Sequence, residues 1–216
     1  VTGKRTQILL SLALISVIAE TERKAPQRGF RRGLEGLILM NFSGHSLPVR
    51  TVSESQSEMT ELILPNDTNT LGNLLGGRLM HFIDLVGAMA AYRHSRTHVV
   101  TASMDHIDFI APVHVGDLLI LKSSLNRAFN TSMEVGVKVW VENTIAGTHR
   151  HVASAYLTFV AVDSQGRRVP VPGLKPETEE EKRRYEDAGR RREIRQKELA
   201  HKRAVKAPEM VAQGRV

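Results

Sequence analysis

The sequence predicts an α+β fold, with a curved antiparallel β-sheet wrapped around one long central helix and a charged helix at the C-terminal end. Three observations carry this. One long apolar helix stands near residues 75–94, several β-rich stretches follow it separated by turn-like breaks, and no helical pattern separates those stretches. A doubly wound parallel sheet would need a helix at every crossover. A helix that is apolar around most of its circumference must be enclosed, and the sheet is what the chain offers for that purpose.

In chain order, residues 1–50 form an N-terminal extension. Its "KRTQILLSLALISVIAE" has a basic start and a run of apolar or small residues from Ile8 to Ala19. This imitates a signal peptide and is shorter than the roughly 20 residues a bilayer-spanning helix needs, so stable membrane insertion is not expected. The other reading is that the segment is non-native and that translation starts at Met40, which places the protein in the cytoplasm. Residues 51–174 form the main domain. Its first strand is "SESQSEMTELIL", which ends at Pro65. The helix near 75–94 is next, with Leu74, Leu75, Leu79, Met80, Phe82, Ile83, Leu85, Val86 and Met89 around its surface. "HVVTASMDHIDFIAP", "VGDLLILKSSLNRA", "TSMEVGVKVWVEN" and "HRHVASAYLTFVAVD" read as strands, and "DSQGRR" closes the last as a tight turn. Met104, Met133 and Trp140 belong to the core or to subunit contacts. This is the hotdog arrangement. From residue 175 to 216 the composition turns charged. Thr178 and Glu181 make a capping box, and pairs such as Glu180/Arg184 and Asp187/Arg191 put acid four residues before base. With few apolar residues, this tail is expected to be a solvated helix.

The net charge of +7 lies in the ends of the chain: residues 1–50 contribute +5, residues 175–216 contribute +4, and residues 51–174 carry −2. A nucleic-acid-binding module would concentrate basic residues on a folded face, so nucleic acid is not an expected partner. The chain has no cysteine, which excludes disulfides, thiol catalysis and cysteine metal sites. His149 and His151 lie on one strand face at metal-ligand reach, but no third ligand accompanies them, and no metal site is expected.

Asp84 is the residue that demands an explanation, a carboxylate in the middle of an otherwise apolar helix. "LPNDTNTLGNLLGGRLMHFID", "VVTASMDHIDFIAPVHVGD", "NTSMEVGVKVWVE" and "AYLTFVAVDSQGRRVPVPGLKPETEEEKRR" resemble, in that order, the hotdog acyl-CoA thioesterases. The similarity is to the cytosolic (brain-type) acyl-CoA hydrolases and their single-domain bacterial relatives, and it runs from about Leu64 to Tyr185. The resemblance implies hydrolysis of a fatty acyl-CoA to free acid and coenzyme A without metal or cofactor, by a homo-oligomer whose minimum unit is a dimer and whose full form is a trimer of dimers. It matches the family's helix carboxylate to Asp84 and its asparagine before the paired glycines to Asn73.

The residues support that chemistry. Thioester hydrolysis needs an activated water and a device that holds charge on the carbonyl oxygen. Asp84 is the candidate base, since enclosure among apolar groups makes a carboxylate a better proton acceptor. Gly76 and Gly77, at the helix start, offer unpaired backbone N–H groups and room for close approach. Asp84 lies eight residues beyond Gly76, roughly 12 Å along a helix, so one chain is not expected to bring both devices to one carbonyl. Asp84 of one subunit with Asn73, Gly76 and Gly77 of another would do so. Arg93 and His94 at the helix end, and Asn130, Thr131 and Ser132 at a strand start, are the candidates for coenzyme A contacts. Each has a plainer reading. Asp84 could pair with Arg78 or Arg93, Asn73 could cap the helix, the glycines could serve close packing, and Arg93 and His94 could complement the helix dipole. Two other functions stay open: a hydratase or dehydratase using His81 with Asp84, and a non-catalytic acyl-CoA-binding module.

Overall fold

The computed structural model describes residues 47–212, and the side chains of these other than His106 and residues 202–212. Residues 1–46, with the signal-like segment and Met40, lie outside it. The unit that contains the site begins at Val49.

Strands β1 (Val49–Thr51) and β2 (Ser57–Leu62) precede helix α1 (Gly76–Ser95). Strands β3 (His98–Phe109), β4 (Leu118–Ala128), β5 (Ser132–Asn143) and β6 (Thr148–Val162) follow, then β7 (Gly173–Lys175) and helix α2 (Glu179–Ala212). The main sheet is antiparallel in the order β2-β4-β5-β6-β3. The sequence-derived strands are therefore present, and the antiparallel sheet around a single helix is the hotdog arrangement. The small parallel pair β1–β7 was not foreseen. Three-residue strands carry too little alternation to be read from sequence.

Alternation on β5 decides which face is core. Met133, Val135, Val137, Val139 and Val141 point inward and are buried, joined by Leu119, Leu121 and Leu125 of β4 and by Leu157 and Phe159 of β6. Helix α1 lays Leu79, Phe82, Ile83, Val86, Ala90 and Ala91 on this surface. It comes close at Gly87, where a Cβ would stand 3.2 Å from the Phe159 ring, and Ser123 Oγ donates to the Val86 carbonyl at 2.7 Å. Arg96 in the left-handed conformation ends the helix, its N–H donating to the Tyr92 carbonyl. The expected all-round enclosure is not achieved within one chain: Leu75, Met80 and Met89 are exposed by 45%, 42% and 38%.

The tail departs from the sequence expectation. Its capping box forms, with Thr178 N–H donating to Glu181 Oε2 and Glu181 N–H to Thr178 Oγ1. The helix that follows is docked rather than solvated. It lies on the outer face of the sheet, burying Ala188 and leaving no room for a Cβ at Gly189 beside the Arg127 guanidinium. Arg127 stacks over the Tyr185 ring at 4.2 Å and Arg191 over Tyr156 at 3.8 Å. Arg191 Nη2 donates at 2.6 Å to Glu134, which is fully buried. Burial disfavours the Arg191 cation, but the hydrogen bonds and charge of Glu134 outweigh it and hold its pKa above the ordinary value. Arginine stems and guanidinium planes here cover surface that apolar residues would otherwise cover, and an apolar count misses that.

Candidate active site

The segment before α1 is fixed by Asp67. This buried aspartate accepts from Arg78 Nε at 2.7 Å and from Leu64 N–H at 3.3 Å, and its carbonyl receives Leu75 N–H. Asn69 organises the next turn: its Oδ1 accepts from the N–H groups of Leu71 and Asn73, and its own N–H donates to the Asn73 carbonyl. Gly72 has φ +75° in that turn, a conformation glycine adopts without steric cost. Asn73 is thus held by its backbone, also bridging to His114. Its side chain makes no hydrogen bond among the described residues and lines an open cleft of about 340 Å³ with Gly76, Leu79, Phe109 and Pro112.

Leu75, not Asn73, is the N-cap of α1, and it supplies no side-chain cap. The Leu75 carbonyl takes the N–H groups of Arg78 and Leu79, so those of Gly76 and Gly77 donate to nothing among the described residues. Close packing does not explain the glycines. A Cβ at Gly77 would meet nothing within 4 Å, and one at Gly76 would make an ordinary 3.7 Å contact with Phe109. Within the chain, two unpaired donors face open space at the positive end of a helix.

Asp84 is half-buried and lies two turns further along. Its carboxylate accepts a 2.7 Å hydrogen bond from Thr101 Oγ1 on β3. The ion pairs weighed for it are not formed: Arg78 is engaged with Asp67 and lies over the Phe82 ring, and Arg93 donates to the Gln56 carbonyl. His81 is exposed with its ring tilted against Phe82, and among the described residues it makes no hydrogen bond to Asp84. Gly77, Met80, His81, Asp84 and Ala88 share one helix face by their spacing, and every one is exposed or half-buried. The chain's own sheet covers this stripe only in part.

Two of the expected coenzyme contacts meet the Val171–Pro172 segment: Val171 N–H donates to the Asn130 carbonyl, and His94 Nε2 bonds the Pro172 carbonyl at 2.9 Å. His94 departs from the expectation. It is fully buried, and burial pushes its pKa down, with Arg50 adding to the effect against the Pro172 hydrogen bond and Glu54. It therefore presents no atom to a ligand at the surface. Ser132 is also buried, its hydroxyl receiving Arg192 Nη1 at 3.0 Å. Arg93 and Asn130 are exposed and Thr131 half-exposed. His149 stands 3.9 Å from Glu142, and His151 bonds Ser154 at 3.0 Å beside Trp140. Among the described residues no three potential ligands converge.

The family model described as the thioesterase superfamily matches residues 71–147, which include the helix and Asp84. The uncharacterized acyl-CoA thioester hydrolase YkhA of Bacillus subtilis is 41% identical over 156 residues, 72% of this chain and 91% of its own length. The chain belongs to the acyl-CoA thioester hydrolases of the thioesterase superfamily. Among solved thioesterase structures, the acyl-CoA hydrolase of Staphylococcus aureus in complex with butyryl coenzyme A, coenzyme A and coenzyme A disulfide is 36% identical, with a TM-score of 0.69 over 76% of this chain and 99% of that one. An apo-hexameric acyl-CoA thioesterase is 42% identical, with a TM-score of 0.69 over 71% and 99%. The Staphylococcus hydrolase is also known with an aspartate, an asparagine or a threonine replaced by alanine; the asparagine lies 15 positions before the aspartate and the threonine 17 after it.

Two residues escaped the sequence reading. Asn69 and Thr101 stand 15 positions before and 17 after Asp84. Thr101 is a β-branched strand residue like many others, and nothing but its register opposite α1 singles it out. Asn69 was one of three asparagines in "NDTNTLGN", and its hold on two backbone N–H groups is visible only in the folded turn.

Proposed function

We propose that this chain hydrolyses acyl-CoA thioesters to free acid and coenzyme A, with Asp84 as general base and with each site assembled from two copies of the chain. One observation carries the reading. The cleft that holds Asn73 and Gly76 does not include Asp84, which lies about 12 Å further along the helix on a stripe the chain covers only in part. A second α1, antiparallel to the first, brings one chain's Asp84 to the other chain's Gly76 and Gly77. The twelve-residue β3 ends the sheet, and an edge strand is a template for pairing with another chain. Phe109 and Ile110 at its end are 56% and 59% exposed, as an interface requires. The hexameric state of a relative fits a trimer of such dimers.

Asp84 takes a proton from water as its oxygen attacks the thioester carbon. The negative charge that develops on the carbonyl oxygen is met by the N–H groups of Gly76 and Gly77. Collapse breaks the C–S bond, and the proton leaves on the coenzyme A thiol. Thr101 aims the Asp84 carboxylate. Asn73 and the Asn69 side-chain NH₂, both on the loop before the glycines, are the amides that hold the water or the carbonyl. The spacing shared with the substituted residues of the Staphylococcus hydrolase supports Asn69 and Thr101 in these roles. Arg93, Asn130 and Thr131 are the groups placed to meet the coenzyme's phosphates. A hydratase would need an acid–base pair across the substrate, and enoyl-CoA hydration is the activity that separates that reading from hydrolysis.

The test is a panel of acyl-CoAs from short to long with thiol detection, run on the parent protein and on Asp84→Asn. Thiol release by the parent and a loss of 10²–10⁴-fold in the variant are expected. Hydration of enoyl-CoA without thiol release would overturn the reading, and so would a fully active Asp84→Asn protein.

A further inference from the structure

The outer face of the sheet carries a chain of charges that leads from the C-terminal helix to the edge strand. Glu134 on β5 is fully buried; it receives Arg191 Nη2 at 2.6 Å and Asn126 Nδ2 at 3.1 Å, and Arg195 Nη2 stands 3.7 Å from it. The other end of the Arg195 guanidinium is hydrogen-bonded to the Asp105 carboxylate on β3. Asp105 also accepts from Ser103 Oγ at 3.1 Å. Burial lowers the Arg195 pKa.

Asp105 occupies a particular place in β3. The pairing of β3 with β6 slips twice, between Thr101 and Ser103 and between Met104 and His106. Ala102 and Asp105 are the two extra residues, each a β-bulge. A bulge re-aims the side chains that flank it and leaves its own residue out of the ladder. Thr101 pairs with the inward Phe159, so it faces α1 and reaches Asp84, whereas Ser103 pairs with Thr158 on the outer side. A bulged residue stands outside the ladder, so the pairing with β6 alone fixes it weakly. A long helix with few apolar residues yet three arginines aimed at this surface supplies the missing constraint.

We infer that α2 is a clasp for the edge strand: Arg195, anchored on Glu134, grips the bulged Asp105 and thereby holds Thr101 in the register that aims Asp84. Arg195 is a positioning residue. The catalytic half of this inference rests on the role proposed for Asp84, and the structural half does not.

The experiment combines hydrogen exchange with steady-state kinetics on the full chain, comparing Arg195→Gln, Arg195→Lys and Asp105→Asn with the parent. Arg195→Gln should speed amide exchange across residues 98–109 about tenfold or more while leaving β5 unchanged. With acyl-CoA, kcat should fall about ten- to a hundredfold, the scale expected when a distant change misplaces a reacting group, and KM should stay within about twofold. Arg195→Lys should restore part of kcat, because an ammonium can take the Asp105 end of the grip but cannot hold Glu134 as well. Should Arg195→Gln not fold, Asp105→Asn gives the same comparison with its shape retained. Unchanged exchange in β3 overturns the clasp. Faster exchange with parental kcat overturns the positioning of Thr101. A fully active Asp84→Asn protein sinks the proposed catalysis separately, and the exchange data still decide whether Arg195 holds the strand.

Discussion

Replacing Arg191 with alanine removes the principal partner of a carboxylate that has no access to water. Glu134 is 0% exposed and receives three hydrogen bonds from Arg191, at 2.6, 3.2 and 3.3 Å. Breaking a buried pair by deleting one partner costs about 3–5 kcal/mol, because the other charge is left uncompensated. Two features of the site reduce that figure. Asn126 still donates at 3.1 Å and Arg195 remains 3.7 Å away, and the Arg191 side chain is itself 26% exposed. A loss of about 2–3 kcal/mol is therefore expected, partly from the stacking on Tyr156. For a protein of this size each kcal/mol moves Tm by about 2–4 °C, so the melting point should fall by about 5–10 °C. Urea denaturation at pH 7 and fixed protein concentration is the assay, with the midpoint shifted and m unchanged. The control is Lys182→Ala, which breaks a 2.7 Å pair with Glu179 on the exposed face of the same helix and should cost at most about 0.5 kcal/mol. If Arg191→Ala costs no more than the control, α2 is not anchored by Glu134 and the docked helix is wrong.

Gly77→Ala separates function from folding: no atom lies within 4 Å of the added Cβ, so the helix should gain up to about 1 kcal/mol while kcat/KM falls at least tenfold; a more stable and fully active variant would remove Gly77 from the site. Mixing Asn73→Ala with Asp84→Ala subunits under exchange tests the shared site, because half the dimers are mixed and each has one intact site, so about a quarter of parental activity should return; demonstrated exchange with no recovery would mean both residues serve one chain's site. His94 makes stability depend on pH. Its folded pKa is lowered by burial from 6.5, so the unfolded chain binds its proton first; the His94 contribution is complete above about pH 7 and declines as pH falls below 6.5 toward the folded value. Arg50 and Glu54 are the charged neighbours that tune it, and in His94→Gln the midpoint should vary less between pH 7.5 and 5.5; an unchanged slope would rule it out.

The sequence by itself determined the architecture and singled out the stretch that holds the candidate site. Inward alternation on β5, an apolar helix interrupted by Asp84 and the glycine pair at its start are local patterns, with periods of two and of 3.6 residues that survive in one dimension. The same helical rise put Asp84 about 12 Å from Gly76 along the axis. Only the tertiary structure decided the partners. Thr101 meets Asp84 because a β-bulge sets the register of β3, and a one-residue slip reverses which face a side chain takes. His94, at the end of α1, proved buried because residues 171–174 fold back over it. The tail, which its composition marks as solvated, is docked because guanidinium groups bridge a buried carboxylate and stack on rings. These contacts join residues 17 to 90 positions apart in the chain, and no local pattern records which ones will meet.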